Sequence, residues 1–194
     1  MKQTLNRLIN HETISSEEAK QILINISKGD YNQSQIASFL TVFMMRSITL
    51  DELKGFRDAL LELCVPVDLS AYNPIDLCGT GGDGKDTFNI STLSSFITAA
   101  AGVPVAKHGN YGVSSACGSS NVLESLGVTF SNDVKFLERA IDTAGICVLH
   151  APLFHPAMKN VATVRRELGV KTFFNMLGPL VNPAFPKNQL TGVF

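Results

Sequence analysis

The chain has 194 residues with 16 basic and 17 acidic side chains, a formal net charge of −1, and no tryptophan. That balance leaves no electrostatic footprint for nucleic acid, and no apolar run reaches the roughly 18–20 residues a membrane span needs. Residues 1–10 lack a signal-peptide core. Cys64, Cys78, Cys117 and Cys147 are scattered without a CxxC pair. They read as free thiols in a cytoplasmic protein rather than as disulfides or a zinc site. The length suffices for a core of one domain, or one domain plus a small partner.

Residues 1–70 read as all-helical. Ser15 with Glu18, Asn32 with Gln35, and Thr49 with Glu52 have the spacing of capping boxes, in which a side-chain oxygen caps the first turn and an acid or amide reaches back. Leu53, Phe56, Leu60 and Leu63 repeat at helical spacing and define one apolar face. Residues 36–45 are apolar nearly all round, which predicts a helix buried centrally or at a subunit interface. Pro66 and the stretch 70–74 break the pattern and mark a linker. From Ile75 onward, strands at 75–78, 103–106, 146–149 and 189–194 alternate with helices at 91–101, 119–126, 133–144 and 155–168. The alternation predicts an α/β fold with a mostly parallel sheet flanked by helices, and ligands at the carboxyl ends of its strands. The expected division is a helical domain over 1–70 and an α/β domain over 71–194. The last strand stops without a turn or a polar tail, and a bare edge strand is an association hazard. The chain is therefore expected to be the front part of a longer protein, its sheet truncated at the carboxyl end.

Four segments carry chemistry. After the first strand, four glycines fall between Gly79 and Gly84, followed by Thr87, Asn89, Ser91 and Thr92 at the start of a helix. Glycine lets the backbone approach a ligand closely, and the bare amides of such a turn with a helix amino terminus bind anions. The amides of residues 79–83 suit a diphosphate, and Ser91 or Asp83 offers a hard oxygen to a divalent cation. The sequence is neither a Walker loop nor a Rossmann fingerprint. The second segment, Lys107, His108, Gly109, Asn110, Tyr111, Gly112, Val113, Ser114 and Ser115, follows the second strand and suits a further contact to phosphate or ribose hydroxyls. Asn110 brings both a donor and an acceptor. In the third, Ser119 serves either as a plain helix cap or as one more phosphate contact. The fourth contains Arg165 and Arg166, which cannot both point the same way from a helix packed through Val161, Val164 and Leu168. One guanidinium suits a carboxylate, and a solvent-facing salt bridge is the competing reading.

Together the segments at 76–92, 107–127 and 155–182, the last with Val-Arg-Arg-Glu-Leu-Gly and Asn-Met-Leu-Gly-Pro-Leu-Val-Asn-Pro, resemble the anthranilate phosphoribosyltransferase family over the whole chain. The resemblance implies transfer of phosphoribosyl from phosphoribosyl diphosphate to the amine of anthranilate in tryptophan biosynthesis, with release of diphosphate and with Mg2+. It implies a phosphoribosyl diphosphate site made by Gly79, Gly82, Asp83, Thr87, Asn89, Ile90, Ser91 and Thr92, by residues Lys107 through Ser115, and by Ser119, with Ser91 also a magnesium ligand. Gly79, Asn110 and Arg165 match positions that contact anthranilate. It also implies a homodimer through the amino-terminal helices. Two residues depart from the family pattern: Tyr111 stands where many members have arginine, and Asn121 where aspartate is common. Loss of that cation should weaken diphosphate binding unless Tyr111 or Lys107 compensates. An Asp-Glu pair that ligates magnesium in the family lies past residue 194.

The anthranilate amine is neutral at pH 7, so the reaction needs no strong general base, and no catalytic residue is assigned. Leaving-group stabilisation and positioning are expected to carry the rate. Two rivals share the architecture. A pyrimidine nucleoside phosphorylase would use phosphate as nucleophile. A non-catalytic nucleic-acid-binding relative would need a basic stripe, which the net charge opposes.

Overall fold

The computed structural model describes residues 1–81, 87–112 and 117–193. In chain order its helices and strands are α1 (Lys2–Ile9), α2 (Ser16–Lys28), α3 (Gln33–Met45), α4 (Leu50–Leu63), β1 (Ile75–Leu77), α5 (Ile90–Ala100) and β2 (Val105–Gly109). There follow α6 (Ser119–Ser125), α7 (Val134–Ala144), β3 (Ile146–His150), α8 (Ala151–Phe154), α9 (Lys159–Leu168), α10 (Phe174–Leu177) and β4 (Asn188–Leu190). The chain forms two compact units, Met1–Cys64 with His155–Leu177, and Val65–Phe154 with Gly178–Phe194.

The first unit is a helical bundle whose starts are set by side-chain caps. Asn32 and Gln35 bond each other's backbone at 2.9 and 3.2 Å, and Thr49 and Glu52 do so at 3.2 and 2.9 Å. Ser15 caps α2 by accepting from the Glu18 amide at 3.1 Å, but the return bond of a capping box is absent. The Glu18 carboxylate instead accepts from Arg7 Nη1 at 2.9 and 3.0 Å, because a charged donor is a stronger partner than a neutral amide. Helices α2 and α4 meet at Gly55, where a Cβ would lie 2.2 Å from the Ser16 carbonyl oxygen. Ile36, Phe39, Leu40 and Phe43 of α3 are buried, as are Phe56 and Leu60 of α4. Leu53 and Leu63 are only half-buried. Helices α9 and α10 close this core: Phe173 stacks on Phe56 with centroids 4.4 Å apart and meets Phe39 edge-on at 6.3 Å. Residues 155–177 follow the third strand in sequence, yet Val161, Val164, Phe173 and Phe174 are buried with this bundle.

The expected single helix over 155–168 is divided. Pro156 opens a 3-10 turn at Pro156–Met158, and α9 begins at Lys159. Proline has no amide hydrogen to give a continuous helix and restricts the residue before it.

The second unit is built on a parallel sheet of order β3-β2-β1-β4. Ile75 pairs with Val105 on one side and Asn188 on the other, and β2 pairs with β3 from Val105↔Ile146 to Gly109↔His150. Leu137 and Ile141 of α7 pack with Ala106, Cys147, Leu149 and Phe154 in its core. Val67 and Leu69, between the expected breaks at Pro66 and 70–74, are buried in the same cluster and so belong to the packed unit. Among the described residues no helix is long and apolar enough to cross a membrane.

Strand β2 runs three residues past the expected end at 106 and takes in Lys107, His108 and Gly109, all buried. Lysine and histidine broke the apolar pattern in the sequence, but Lys107 Nζ and His108 Nδ1 find backbone carbonyl partners inside the fold. Strand β4 spans Asn188–Leu190 with all three residues exposed, shorter than the expected 189–194, of which Phe194 lies outside the described residues.

Candidate active site

Strand β1 delivers the chain to the glycine-rich segment. Asp76 is fully buried, accepting from the His108 amide at 3.1 Å through Oδ1 and from Gln189 Nε2 at 3.4 Å through Oδ2. Burial raises its pKa despite the hydrogen bonds from Asn182 and His108. Burial likewise pushes the Cys78 thiol up to about 12, which removes it as a nucleophile. A Cβ on Gly79 would sit 3.4 Å from the Gly192 carbonyl oxygen and 3.5 Å from Ser91 Oγ. The glycine thus brings the end of β1 against the first turn of α5. The Thr80 amide donates to the Gly192 carbonyl at 3.0 Å. Gly82 and Asp83 lie outside the described residues.

Asn89 caps α5, accepting at Oδ1 from the Thr92 amide at 3.3 Å and from Thr92 Oγ1 at 2.8 Å. Thr92 is therefore buried and committed to the cap. The first turn carries no acidic side chain. The amides of Ile90 and Ser91 precede the first intrahelical bond, from the Leu93 amide to the Asn89 carbonyl at 3.0 Å, so this end of α5 keeps donors without a partner among the described residues and a positive dipole end. Thr87 and the Ile90 side chain are exposed; Ser91 is half-buried.

Lys107 is 1% exposed and donates from Nζ to the Leu77 carbonyl at 2.8 Å, with burial lowering its pKa. The expected loop lysine is thus an interior lysine, anchored where β1 ends. His108 is buried with Nδ1 3.0 Å from the Gly178 carbonyl oxygen. Beyond β2 the chain turns outward at exposed Asn110. The Asn110 carbonyl accepts from the Ser120 amide at 3.1 Å and from Ser119 Oγ at 3.3 Å, while its Oδ1 accepts from the Tyr111 amide at 2.8 Å. Ser119 is therefore the first residue of α6 and braces the turn; Gly118 occupies the cap position. Gly109 is fitted to that brace, since a Cβ there would lie 2.5 Å from Ser119 Oγ. Val113, Ser114 and Ser115 lie outside the described residues.

Asn121 and Tyr111 each have a local partner. Asn121 Oδ1 accepts from the Gly112 amide at 3.0 Å and the Gly118 amide at 2.9 Å, clamping the segments on either side of 113–116. Tyr111 donates its hydroxyl to Glu124 Oε1 at 3.1 Å and sets its ring edge-on to His150 at 4.8 Å. Their partners Glu124 and His150 left no mark in the sequence, because these contacts span residues without a periodic signature.

Arg165 belongs to the first unit. Its Nη2 donates to Asn175 Oδ1 at 3.2 Å, and the guanidinium lies 5.3 Å above the Phe174 ring. Its Nε is buried without a hydrogen-bond partner among the described residues, and no described carboxylate forms an ion pair with it. Burial lowers its pKa to about 10, so it stays cationic at neutral pH. Arg166 is exposed. A cavity of about 660 Å³ in the same unit, lined by Tyr31, Asn32, Ser34, Lys159, Asn160 and Thr163 among others, contains none of the expected site residues.

A parallel four-stranded sheet flanked by helices, with a helix amino terminus set beside Gly79 after its first strand, defines the second unit as an α/β fold. The chain belongs to the glycosyl transferase family: residues 71–194 match its a/b domain and residues 2–64 its helical bundle domain. It is 78% identical over 194 residues to the anthranilate phosphoribosyltransferase of Flavobacterium psychrophilum and 76% identical to that of Flavobacterium johnsoniae. In both cases all of this chain is covered and 59% of the relative, so the chain spans well under two thirds of their length. Among solved structures, anthranilate phosphoribosyltransferase from Thermus thermophilus superposes with a TM-score of 0.86 at 39% identity, covering 98% of this chain and 58% of that one. The enzyme from Saccharomyces cerevisiae in complex with PRPP and Mg has a TM-score of 0.85 at 28% identity, covering 98% of this chain and 57% of that one.

Proposed function

We propose that the protein transfers the phosphoribosyl group of phosphoribosyl diphosphate to the amine of anthranilate, as the names of its relatives suggest. The observation that carries the reading is the Asn89-capped amino terminus of α5 set beside Gly79. The Ile90 and Ser91 amides and the dipole end of the helix stabilise the departing diphosphate. Lys107 braces the end of β1 through its bond to the Leu77 carbonyl, and Asn110, Gly79 and the neighbouring loop residues named above complete the substrate contacts. Arg165 takes the anthranilate carboxylate through its guanidinium, which pairs with no carboxylate among the described residues. No side chain is needed to take a proton before attack.

Magnesium fits this donor set in one way. Among the described residues no group of three or more His, Cys, Asp or Glu side chains is placed to hold a metal. Ser91 offers a single hard oxygen, which suits an ion held mainly by diphosphate oxygens and water. Bound there, the ion would neutralise charge on the leaving group.

Exposed apolar side chains in the helical unit, with Ile9 60%, Met45 78% and Leu50 85% exposed, support a homodimer formed through those helices. Light scattering at micromolar concentration tests it, and a monomer refutes it. The scattered spacing of the four cysteines, without a CxxC pair, supports a cytoplasmic location.

Calorimetric titration with phosphoribosyl diphosphate and Mg2+, then with anthranilate, tests the substrate assignment. Lys107→Ala is expected to weaken the first ligand and Arg165→Ala the second. No heat with phosphoribosyl diphosphate, or turnover of thymidine with phosphate instead, overturns the reading.

A further inference from the structure

His150 is a buried imidazole with no part in the chemistry above. It ends β3, is 5% exposed, and pairs in register with Gly109, the last residue of β2 before the Asn110 turn. Its ring stacks on Phe130 with centroids 4.4 Å apart and planes at 15°, while Tyr111 packs against it edge-on at 4.8 Å and 80°. Its Nδ1 shares a hydrogen bond of 2.8 Å with Ser120 Oγ. The amide of that same serine donates to the Asn110 carbonyl at 3.1 Å. One side chain therefore reaches the turn from two directions, through Ser120 to Asn110 and through its ring to Tyr111. The turn has little room to relax: a Cβ on Gly118 would fall 2.3 Å from the Gly112 nitrogen and 2.7 Å from the Asn110 carbonyl oxygen.

We propose that His150 is a positioning residue that holds the Asn110–Tyr111 turn in the geometry the phosphoribosyl diphosphate and anthranilate contacts require. The role rests on the reading of Asn110 given above. Tyr111 turns its hydroxyl to Glu124 and brings no positive charge to the turn. Rigid seating of the turn on His150 favours binding, because a preorganised polar group loses less entropy when substrate binds.

Two substitutions in the 194-residue chain separate the contributions. His150→Phe keeps a ring between Phe130 and Tyr111 and deletes the bond to Ser120. His150→Asn keeps a polar atom near the Nδ1 position and deletes the ring. Amide exchange of the ligand-free, 15N-labelled protein is the first readout. In His150→Phe the Ser120 and Tyr111 amides should exchange about tenfold faster, the effect of losing one buried hydrogen bond. Exchange in α7 should be unchanged, and His150→Asn should restore slow exchange at Ser120. The second readout is titration with phosphoribosyl diphosphate and Mg2+, where His150→Phe and Ser120→Ala should each weaken binding without adding in the double variant. Unchanged exchange at Ser120 and Tyr111, or additive binding losses, overturns the positioning role while wild-type binding stands. If the wild-type chain binds no phosphoribosyl diphosphate, the substrate reading fails and takes this role with it. Should His150→Phe not fold, Ser120→Ala alone carries both readouts.

Discussion

Arg165 is held at a cost to stability, and that cost is measurable. Burial takes its pKa down to about 10, with no opposing contribution from a carboxylate. At about 1.4 kcal/mol per tenfold change, the charged form is disfavoured in the fold by roughly 3 kcal/mol relative to the unfolded chain. Two contacts offset part of this. The bond to Asn175 is worth about 1 kcal/mol, and the position over Phe174 about 0.5–1 kcal/mol. Arg165→Met keeps an unbranched apolar stem against Phe174 and deletes the charge, so it should stabilise the chain by about 1 kcal/mol. For a chain of this size that is an upward shift in Tm of roughly 2–4 °C. Differential scanning calorimetry of the two proteins at pH 7 measures it, and titration with anthranilate should show its binding lost in the variant. Gain of stability with loss of binding is the mark of a group kept for function. A Tm lowered by several degrees would refute the reasoning, because the guanidinium would then be a net structural contact.

The ion pair between Arg46 and Glu52 should behave in the opposite way. Their side chains are 6% and 0% exposed, and Glu52 also accepts from the Ile14 and Thr49 amides at 3.1 and 2.9 Å. Arg46→Ala leaves a buried carboxylate without its cation and should cost about 3–5 kcal/mol in urea unfolding. Burial alone would raise the Glu52 pKa, but the Arg46 hydrogen bond and the two amides hold it below the ordinary carboxylate range. Its stabilisation is complete above the unfolded pKa and is lost as pH falls through the lower folded one. A wild-type chain whose stability is flat from pH 5 down to 3 would contradict this. His150 is also held below its ordinary pKa, first by burial and against the pull of Glu124. The unfolded chain then binds the extra proton first, so stability should decline as pH drops from about 6.5. In His150→Phe that part of the slope should vanish. Gly118→Ala would bring a Cβ within 2.5 Å of the Tyr111 carbonyl carbon and must displace the turn. Its affinity for phosphoribosyl diphosphate should fall on the order of tenfold or more, as read by calorimetry.

Local rules made much of the architecture readable. The caps at Asn32, Thr49 and Asn89 act within three residues, and the chain forms helices behind each of them. Strand–helix alternation from Ile75 specified a parallel sheet, since each crossover must bury one apolar helix face. The glycine run after β1 was legible for the same reason: backbone freedom is a property of residue type. Where the sequence reading went astray, a distant group had changed the local balance. Glu18 left its capping box for Arg7, and Lys107 entered a strand because the Leu77 carbonyl was there to receive it.

Sequence alone determined the element types, the family resemblance and the residue kinds available for binding anions, because these depend on periodicity and side-chain chemistry. Only the tertiary structure decided which of those residues remain free. Lys107 Nζ, His108 Nδ1 and Thr92 Oγ1 are engaged inside the fold, whereas the Arg165 guanidinium pairs with no carboxylate among the described residues. It also decided that His150, Ser120 and Asn121 support the Asn110 turn. Hydrogen-bond partners are set by distances across the fold, and side chains 30 residues apart acquire those distances only when the strands pair.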